Sequence, residues 1–83
     1  MNKQRKSITI KFKTNVSIKV NNDIWTCSNV CFGGPLTLHD SGKDINVVKE
    51  EKVYAKIAKK HISTIYGENE MLWDKRHEQI IQN

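Results

Sequence analysis

The stretch SITIKFKTNVSIKVNNDIWTC, residues 7–27, alternates apolar and polar side chains and then reverses at a pair of asparagines. Alternation with a period of two is typical of a strand with one buried face. The apolar positions share one parity: Ile8, Ile10, Phe12, Val16, Ile18 and Val20. Lys13, Thr14 and Asn15 interrupt the pattern, so we expect either a bulge or a break into two strands there.

The two asparagines, Asn21 and Asn22, predict a tight hairpin turn. Asparagine tolerates the positive φ angles that two-residue hairpin turns require. With these residues as the turn, Ile18 lies opposite Trp25 and Val16 lies opposite Cys27. That register places these four apolar side chains on one face of the hairpin, where we expect them to form a layer of the core.

Turn-forming residues punctuate the chain beyond this hairpin. Gly33-Gly34-Pro35 predicts one turn, and Asp40-Ser41-Gly42-Lys43 predicts another. Leu36-Thr37-Leu38 lies between them and reads as a further short strand. Residues 7–39 are therefore expected to form an antiparallel sheet of three or four strands.

The second half of the chain is expected to be helical. Apolar residues recur there at helical spacing over residues 46–66, namely Val47, Tyr54, Ile57, Ala58, Ile62 and Ile65. Asn46 or Asp44 would cap this helix and Gly67 would end it. A shorter helix is expected over 69–81, with Leu72, Trp73, Arg76/His77 and Ile80 on one side and Asn69 as its cap.

The predicted fold class is therefore α+β, with an antiparallel sheet covered by one long and one short C-terminal helix. Residues 1–83 form a single domain in this interpretation, with residues 1–6 as a basic N-terminal arm. A chain this small buries only about 60–65% of the surface exposed when unfolded, so a homodimer is a further expectation.

The charge of the chain favours a polyanionic partner. The formal net charge is +5, and residues 1–22 contain six basic side chains and no acidic one. Lysine outnumbers arginine twelve to two. Because lysine contacts phosphates as a point charge whereas arginine reads guanine in a bidentate manner, we expect binding that is directed at the nucleic-acid backbone and only weakly sequence-specific.

Two sets of lysines are candidate binding residues. On the predicted long helix, one sector of about 100° opposite the apolar stripe holds five of them: Lys49, Lys52, Lys56, Lys59 and Lys60. The outer face of the N-terminal strands holds three more, Lys11, Lys13 and Lys19, beside Thr9 and Ser17. We expect the helix to be the stronger site and the two surfaces to point in opposite directions.

The sequence indicates no metal site, no cofactor and no enzymatic activity. Cys27 and Cys31 form a C-x3-C spacing without the second ligand pair of a structural zinc site, and in the cytoplasm both would stay reduced. His39-Asp40-Ser41 contains the residue types of a hydrolase triad, but adjacent side chains cannot form the required line of contacts. One catalytic alternative remains, in which His61 with Tyr54 or Tyr66 acts as the acid–base centre of a small ribonuclease-type toxin.

The high content of Lys, Ile and Asn gives the whole chain a resemblance in composition to small basic accessory proteins of phages and mobile elements. Many of those proteins inhibit host defence or toxin systems. The resemblance implies a counter-defence role in the cytoplasm of a host cell. It rests on composition, and no diagnostic motif accompanies it.

The expected function is binding to nucleic acid, with RNA ahead of DNA because no helix-turn-helix, zinc finger or DNA-binding ribbon is recognisable. The alternative partner is an acidic host protein, an enzyme or a toxin, inhibited by a basic face of this chain. No apolar run approaches the roughly 20 residues that span a bilayer, so we expect no membrane partner and a cytoplasmic location.

Overall fold

A computed structural model describes residues 4–74 and 79–80, which form seven antiparallel strands. In chain order the elements are β1 (Arg5–Val20), β2 (Asp23–Asp40), β3 (Asp44–Lys49), β4 (Lys52–Ala58), a 3-10 turn (Lys59–His61), β5 (Ile62–Tyr66), β6 (Met71–Asp74) and β7 (Gln79–Ile80).

Strands β1 to β4 close into a small barrel. One edge of β1 pairs with β2, β2 pairs with β3, and β3 pairs with β4. The ring closes where Lys19 and Val20 of β1 pair with Lys56 and Ala55 of β4. The edge of β1 that pairs with β4 also pairs with β5, through the first half of β1. Strands β6 and β7 extend the sheet beyond β5. Strand β1 is therefore shared by the barrel and its extension.

The core fills the interior of this barrel. It contains the apolar residues of β1 with the predicted parity, together with Val30, Phe32, Leu36 and Leu38 of β2. Strands β3, β4 and β5 add further buried aliphatic side chains: Ile45, Val47, Ala55, Ile57, Ile62 and Ile65. Leu72 and Trp73 of β6 are also fully buried, so the extension covers part of the core.

The predicted β1–β2 hairpin is confirmed. Asn21 and Asn22 have positive φ angles of 45° and 77°, as a two-residue turn of this kind requires. The register pairs Ile18 with Trp25 and Val16 with Cys27 as predicted. The expected core layer is incomplete, since Ile18 and Val16 are buried while Cys27 is partly buried and Trp25 is exposed. A register irregularity lies between Lys11 and Val16, where the alternation is interrupted.

The predicted α+β class and its long helix over 46–66 are wrong. That stretch contains β3, β4, the 3-10 turn and β5 instead. Glu50 and Glu51 form a tight turn with positive φ angles of 52° and 65°, which reverses the chain where a helix was expected to continue. Val and Ile, which prefer strands, are frequent in residues 46–66. In the sheet, alternate residues such as Ile45 and Val47 point into the core and are fully buried.

The predicted short helix over 69–81 is also wrong. Its described part forms β6 and β7, and Trp73 pairs with Ile65 and Ile80 across the sheet. Arg76, His77 and Ile81, which that prediction included, lie outside the described residues. Arg5 and Lys6 were assigned to a basic arm, and they begin β1.

The two other predicted turns have different outcomes. Gly33-Gly34-Pro35 lies within β2, with a cis peptide bond before the proline. A Cβ at Gly34 would collide with the backbone oxygen of Arg5, so only glycine fits this close approach of the strands. The second turn is present as predicted: Gly42 has a φ of 92° and its N–H donates to Asp40 Oδ1 at 2.9 Å.

Within residues 4–74 and 79–80, no helix has the length and apolar character needed to cross a membrane.

Candidate nucleic-acid interface

The outer face of β1 carries the candidate binding residues of the first half of the chain. Lys11, Lys13 and Lys19 are exposed, and the buried apolar residues of the same strand fix their outward direction. Two hydroxyls accompany them and contact β2. Thr9 Oγ1 lies 3.2 Å from Cys31 Sγ, and Ser17 Oγ lies 3.1 Å from Thr26 Oγ1.

A fourth lysine joins this face from β4. Lys56 lies directly opposite Lys19 in the sheet, although the sequence placed the two residues on opposite surfaces. Like charges in directly opposite positions destabilise a sheet. The ammonium of Lys56 also lies 3.7 Å from Asp44 Oδ2, a contact that is largely exposed to solvent. A shallow cleft of about 250 Å³ beside both lysines is bordered by the turn residues Asn21 and Asn22.

The surroundings of Lys11 are different. Its neighbour across the β1–β5 pairing is Thr64, and its ammonium lies 5.4 Å from the centre of the Tyr66 ring. Such a cation–π contact holds the lysine over the aromatic face and leaves its charge uncompensated. On the other edge of β1, Asn29 lies opposite Lys11.

The curvature of β1 separates these two groups. A straight strand of 16 residues would be roughly 50 Å long. The molecule measures only 30 × 29 × 23 Å, so β1 must bend strongly around the barrel. The bend includes the irregularity between Lys11 and Val16, and Lys13 lies within it. Lys11 and Lys19 therefore project in different directions from one continuous curved surface.

Most of this positive charge has no acidic partner. The described residues contain three ion pairs, Arg5–Glu70, Lys56–Asp44 and Lys59–Asp40. None of them includes Lys11, Lys13 or Lys19. We call these three residues together with Lys56 the basic wall.

The predicted basic surface of the long helix does not exist. Lys49 and Lys52 lie opposite each other on either side of the Glu50-Glu51 turn. Lys49 lies over the Tyr54 ring at 4.8 Å, and Lys60 is exposed on the 3-10 turn. The five lysines of the predicted helix therefore lie at three separate locations: the β3–β4 turn, the outer face of β4 and the 3-10 turn. Of these five, Lys56 alone belongs to the basic wall.

Lys59 is committed to a structural contact. Its ammonium donates to Asp40 Oδ2 at 2.6 Å, and it is only 20% exposed. Partial burial opposes ionisation of Asp40, but the Lys59 hydrogen bond, the Gly42 N–H and the Lys59 charge together lower the pKa of that carboxyl below its ordinary value. The Lys59–Asp40 ion pair links the 3-10 turn to the end of β2.

The residues considered for catalysis lie at several places in the barrel. In the β2–β3 turn, Ser41 Oγ donates to the Asp44 carbonyl. Near the end of β2, His39 Nε2 lies 3.1 Å from Thr37 Oγ1. His61 is half-buried at the end of the 3-10 turn. The tyrosines considered as its partners lie against opposite halves of β1, since the Tyr54 carbonyl accepts from the Asn21 N–H while Tyr66 pairs with Thr9.

The two cysteines are free and differ in environment. Cys27 packs partly against the core, opposite Val16, whereas Cys31 is exposed beside Thr9. Within the part of the chain that the structure describes, no group of three or more histidine, cysteine and acidic side chains is arranged to hold a metal ion.

Sequence reasoning missed Thr26, Thr64 and Tyr66 as neighbours of the lysines. Thr64 and Tyr66 were assigned to a helix, and the β-branched residues Ile62, Thr64 and Ile65 were the feature that indicated a strand. Searches of protein-family models, curated proteins and solved structures give no match to this chain. Any functional assignment therefore depends on the residues of this chain alone.

Proposed function

We propose that this protein binds nucleic acid, RNA in preference to DNA, through contacts between the basic wall and backbone phosphates. The observation that carries the proposal is the outer face of β1, where three exposed lysines lack an acidic partner within the described residues. Lysines of this kind bind phosphates as point charges, and the interspersed hydroxyls of Thr9 and Ser17 provide further hydrogen bonds to phosphate oxygens.

The curvature of β1 favours a flexible single strand over a straight duplex. A single strand can follow the bend from Lys11 past Lys13 to Lys19, whereas a short rigid duplex would meet only one end of the basic wall. Hydroxyl and amide side chains near the lysines, such as Thr64 and Asn29, are suited to the 2′-hydroxyl groups that distinguish RNA from DNA. The compositional resemblance to phage accessory proteins is the support for a counter-defence role in a host cytoplasm.

The decisive experiment measures affinity for a labelled single-stranded RNA as salt is increased. Four phosphate contacts predict a log–log slope of about −3. Changing Lys11, Lys13 and Lys19 to threonine preserves strand preference and is expected to weaken binding more than about tenfold and to reduce the slope by about 2. Competition with single-stranded DNA of the same sequence tests the preference for RNA.

A control variant removes the same charge from other surfaces. Changing Lys6, Lys49 and Lys52 to threonine alters residues outside the basic wall, and Lys6 already shares its surroundings with Glu68 and Glu70. A field effect of net charge would weaken both variants equally. Equal losses, or no binding by the unchanged protein at low salt, would contradict the proposal.

The alternative function, inhibition of an acidic host protein, is favoured by one specific observation. Ile24 is 68% exposed and lies opposite Lys19, next to Trp25, which is 38% exposed. An exposed apolar group beside uncompensated lysines is typical of a protein-binding surface. A stoichiometric complex with one protein that survives high salt would support this function over RNA binding.

A further inference from the structure

The first half of β2 has one edge without a partner strand among the described residues. Residues 24–29 pair with β1 on one side, whereas β3 pairs with β2 only at Thr37–Asp40. No other backbone hydrogen bond within the described part of the chain reaches residues 24–29. The N–H and C=O groups that point away from β1 are therefore available to a further strand. We call residues 24–29 the free edge of β2.

The free edge lacks the residues that usually protect an exposed strand. Edge strands of soluble proteins commonly carry lysine or proline, which prevent further pairing. Residues 24–38 contain no charged side chain, and no other uncharged run of the chain is as long. The one proline of the chain, Pro35, follows the free edge and does not interrupt it. All residues of the free edge are exposed except Cys27, which is half-buried.

The core is also incompletely covered beside the free edge. Trp25 has the inward parity, since it lies opposite the buried Ile18. Its ring stacks on Phe32 with 6.1 Å between the ring centres, but the indole remains exposed whereas Phe32 is buried. On the outer face, Ile24 is exposed as well. An added strand would therefore cover apolar surface on both faces of the sheet while it pairs with the backbone.

The partner that best matches an uncharged edge is the same edge of a second copy. Two identical edges related by a two-fold axis pair antiparallel, and each supplies the donors and acceptors that the other lacks. The side chains that meet come from residues 24–29, none of which is charged.

The positive charge of each copy does not prevent this pairing. Lys19 lies on β1, one strand away from the free edge. With two β2 strands between them, the Lys19 residues of two copies would be at least about 14 Å apart, which exceeds the Debye length of about 8 Å at physiological salt. Solvent ions therefore screen most of their repulsion.

We propose that two copies of this chain associate by antiparallel pairing of the free edges of β2. The two sheets then continue into each other, and each copy covers Ile24 and Trp25 of the other. Because the outer faces of antiparallel strands in one sheet coincide, the basic walls of both copies lie on one continuous surface. The pairing does not depend on the RNA-binding proposal.

The test is sedimentation velocity of the full chain without nucleic acid, from about 1 µM to about 0.5 mM protein. We expect the mass to rise to twice the 9.6 kDa of one chain, with a dissociation constant below about 0.1 mM. Since both copies are basic, sodium chloride should strengthen the association, whereas it weakens binding to RNA. Backbone amides of residues 24–29 should exchange hydrogen more slowly at the higher protein concentration.

Two variants with equal added charge locate the interface. Ile24→Lys with Thr26→Lys places lysines on the free edge and should weaken self-association more than about tenfold, and Ile24→Lys alone should act in the same direction. Val53→Lys with Asn69→Lys adds the same charge at exposed positions outside the free edge, and should change the dissociation constant by no more than about twofold.

Three results would overturn the proposal. Equal losses in the two double variants would show that net charge, and not the free edge, controls association. Growth beyond a dimer would show that two different surfaces meet. A chain that stays monomeric at the highest concentration would leave the free edge to a strand of another protein.

Discussion

The carboxylate of Asp40 connects three parts of the chain through its two oxygens. Oδ1 accepts from the Gly42 N–H within the β2–β3 turn, and Oδ2 accepts from Lys59 at the start of the 3-10 turn. Both hydrogen bonds are strongest when the Asp40 carboxyl is ionised. The pKa of Asp40 is therefore lowered, and the stability of this corner of the barrel depends on pH.

We expect Asp40→Asn to lower the free energy of unfolding at neutral pH by about 0.5–1 kcal/mol, the range of a partly exposed ion pair. Because the folded-state pKa lies below the ordinary value of 3.8, the ionised carboxylate contributes fully above that value and loses its contribution as the pH falls through the folded-state pKa. The difference between the two proteins should therefore narrow in acid. Urea denaturation at neutral pH and near pH 3 measures it, and a difference that is constant or grows would contradict the assigned role.

At the scale of elements, the β3–β4 hairpin is closed by a turn that its residues do not favour. Glu50 and Glu51 have φ angles of 52° and 65°, a region that glycine and asparagine enter much more readily. The strands on either side determine the conformation, because their pairing from Asp44–Ala58 to Lys49–Lys52 leaves only two residues for the reversal. The pairing of β3 with β4 therefore forces Glu50 and Glu51 into this conformation.

Replacing Glu50 by Asn and Glu51 by Gly should raise the free energy of unfolding by about 1 kcal/mol, since Asn-Gly is the preferred pair for such turns. Thermal or urea unfolding measures the change. Changing both residues to glutamine is the matched control, because it removes the same two charges beside Lys49 and Lys52 and keeps the unfavourable φ angles. Equal effects of the two variants would show that charge, not backbone conformation, controls this turn.

The β3–β4 hairpin also shows why the sequence predicted only part of the fold. The β1–β2 hairpin followed from its residues, since Asn21-Asn22 is a favourable turn and the alternation of β1 is long. The Glu50-Glu51 turn has no such marker, and Val47, Tyr54, Ile57 and Ala58 also fit helical spacing. Closure of the barrel, which pairs Val20 with Ala55, is a tertiary effect absent from the local pattern.

The sequence likewise predicted one part of the candidate site and missed another. The outward direction of Lys11, Lys13 and Lys19 follows from the alternation of β1, and the structure places all three on its outer face. The position of Lys56 opposite Lys19 depends on the β1–β4 pairing and could not be read from either strand alone.

At the scale of the whole molecule, positive charge opposes folding. The net charge is +5, and the sheet places Lys19 opposite Lys56 and Lys49 opposite Lys52. Such pairs repel each other in the folded state and lie farther apart in the unfolded chain. The surface therefore reduces the stability of a small barrel, which is consistent with a surface that a polyanion neutralises.

Sodium chloride should therefore raise the melting temperature. The Debye length falls from about 10 Å at 0.1 M to about 3 Å at 1 M, which screens the repulsion, and a gain of about 1 kcal/mol corresponds to roughly 4–8 °C for a domain of this size. Lys19→Gln should melt higher than the unchanged protein at low salt and respond less to added salt, because Lys19 lies opposite Lys56 and is in none of the ion pairs of the described residues. Calorimetry in chloride, without sulfate or phosphate, checks this, and a melting temperature that falls with salt would contradict it.

The sharing of β1 by the barrel and its extension has a consequence for the folding pathway. Strand β2 follows β1 immediately and can form a hairpin with it through local contacts. The opposite edge of β1 must wait for β4 and β5, since the partner of Lys19 is Lys56 and the partner of Ile10 is Ile65. Closing such long loops is entropically costly and slow. Any β1–β2 hairpin that forms before β4 and β5 has one edge open, and we expect its lysines Lys11 and Lys13 to discourage other strands from adding to that edge.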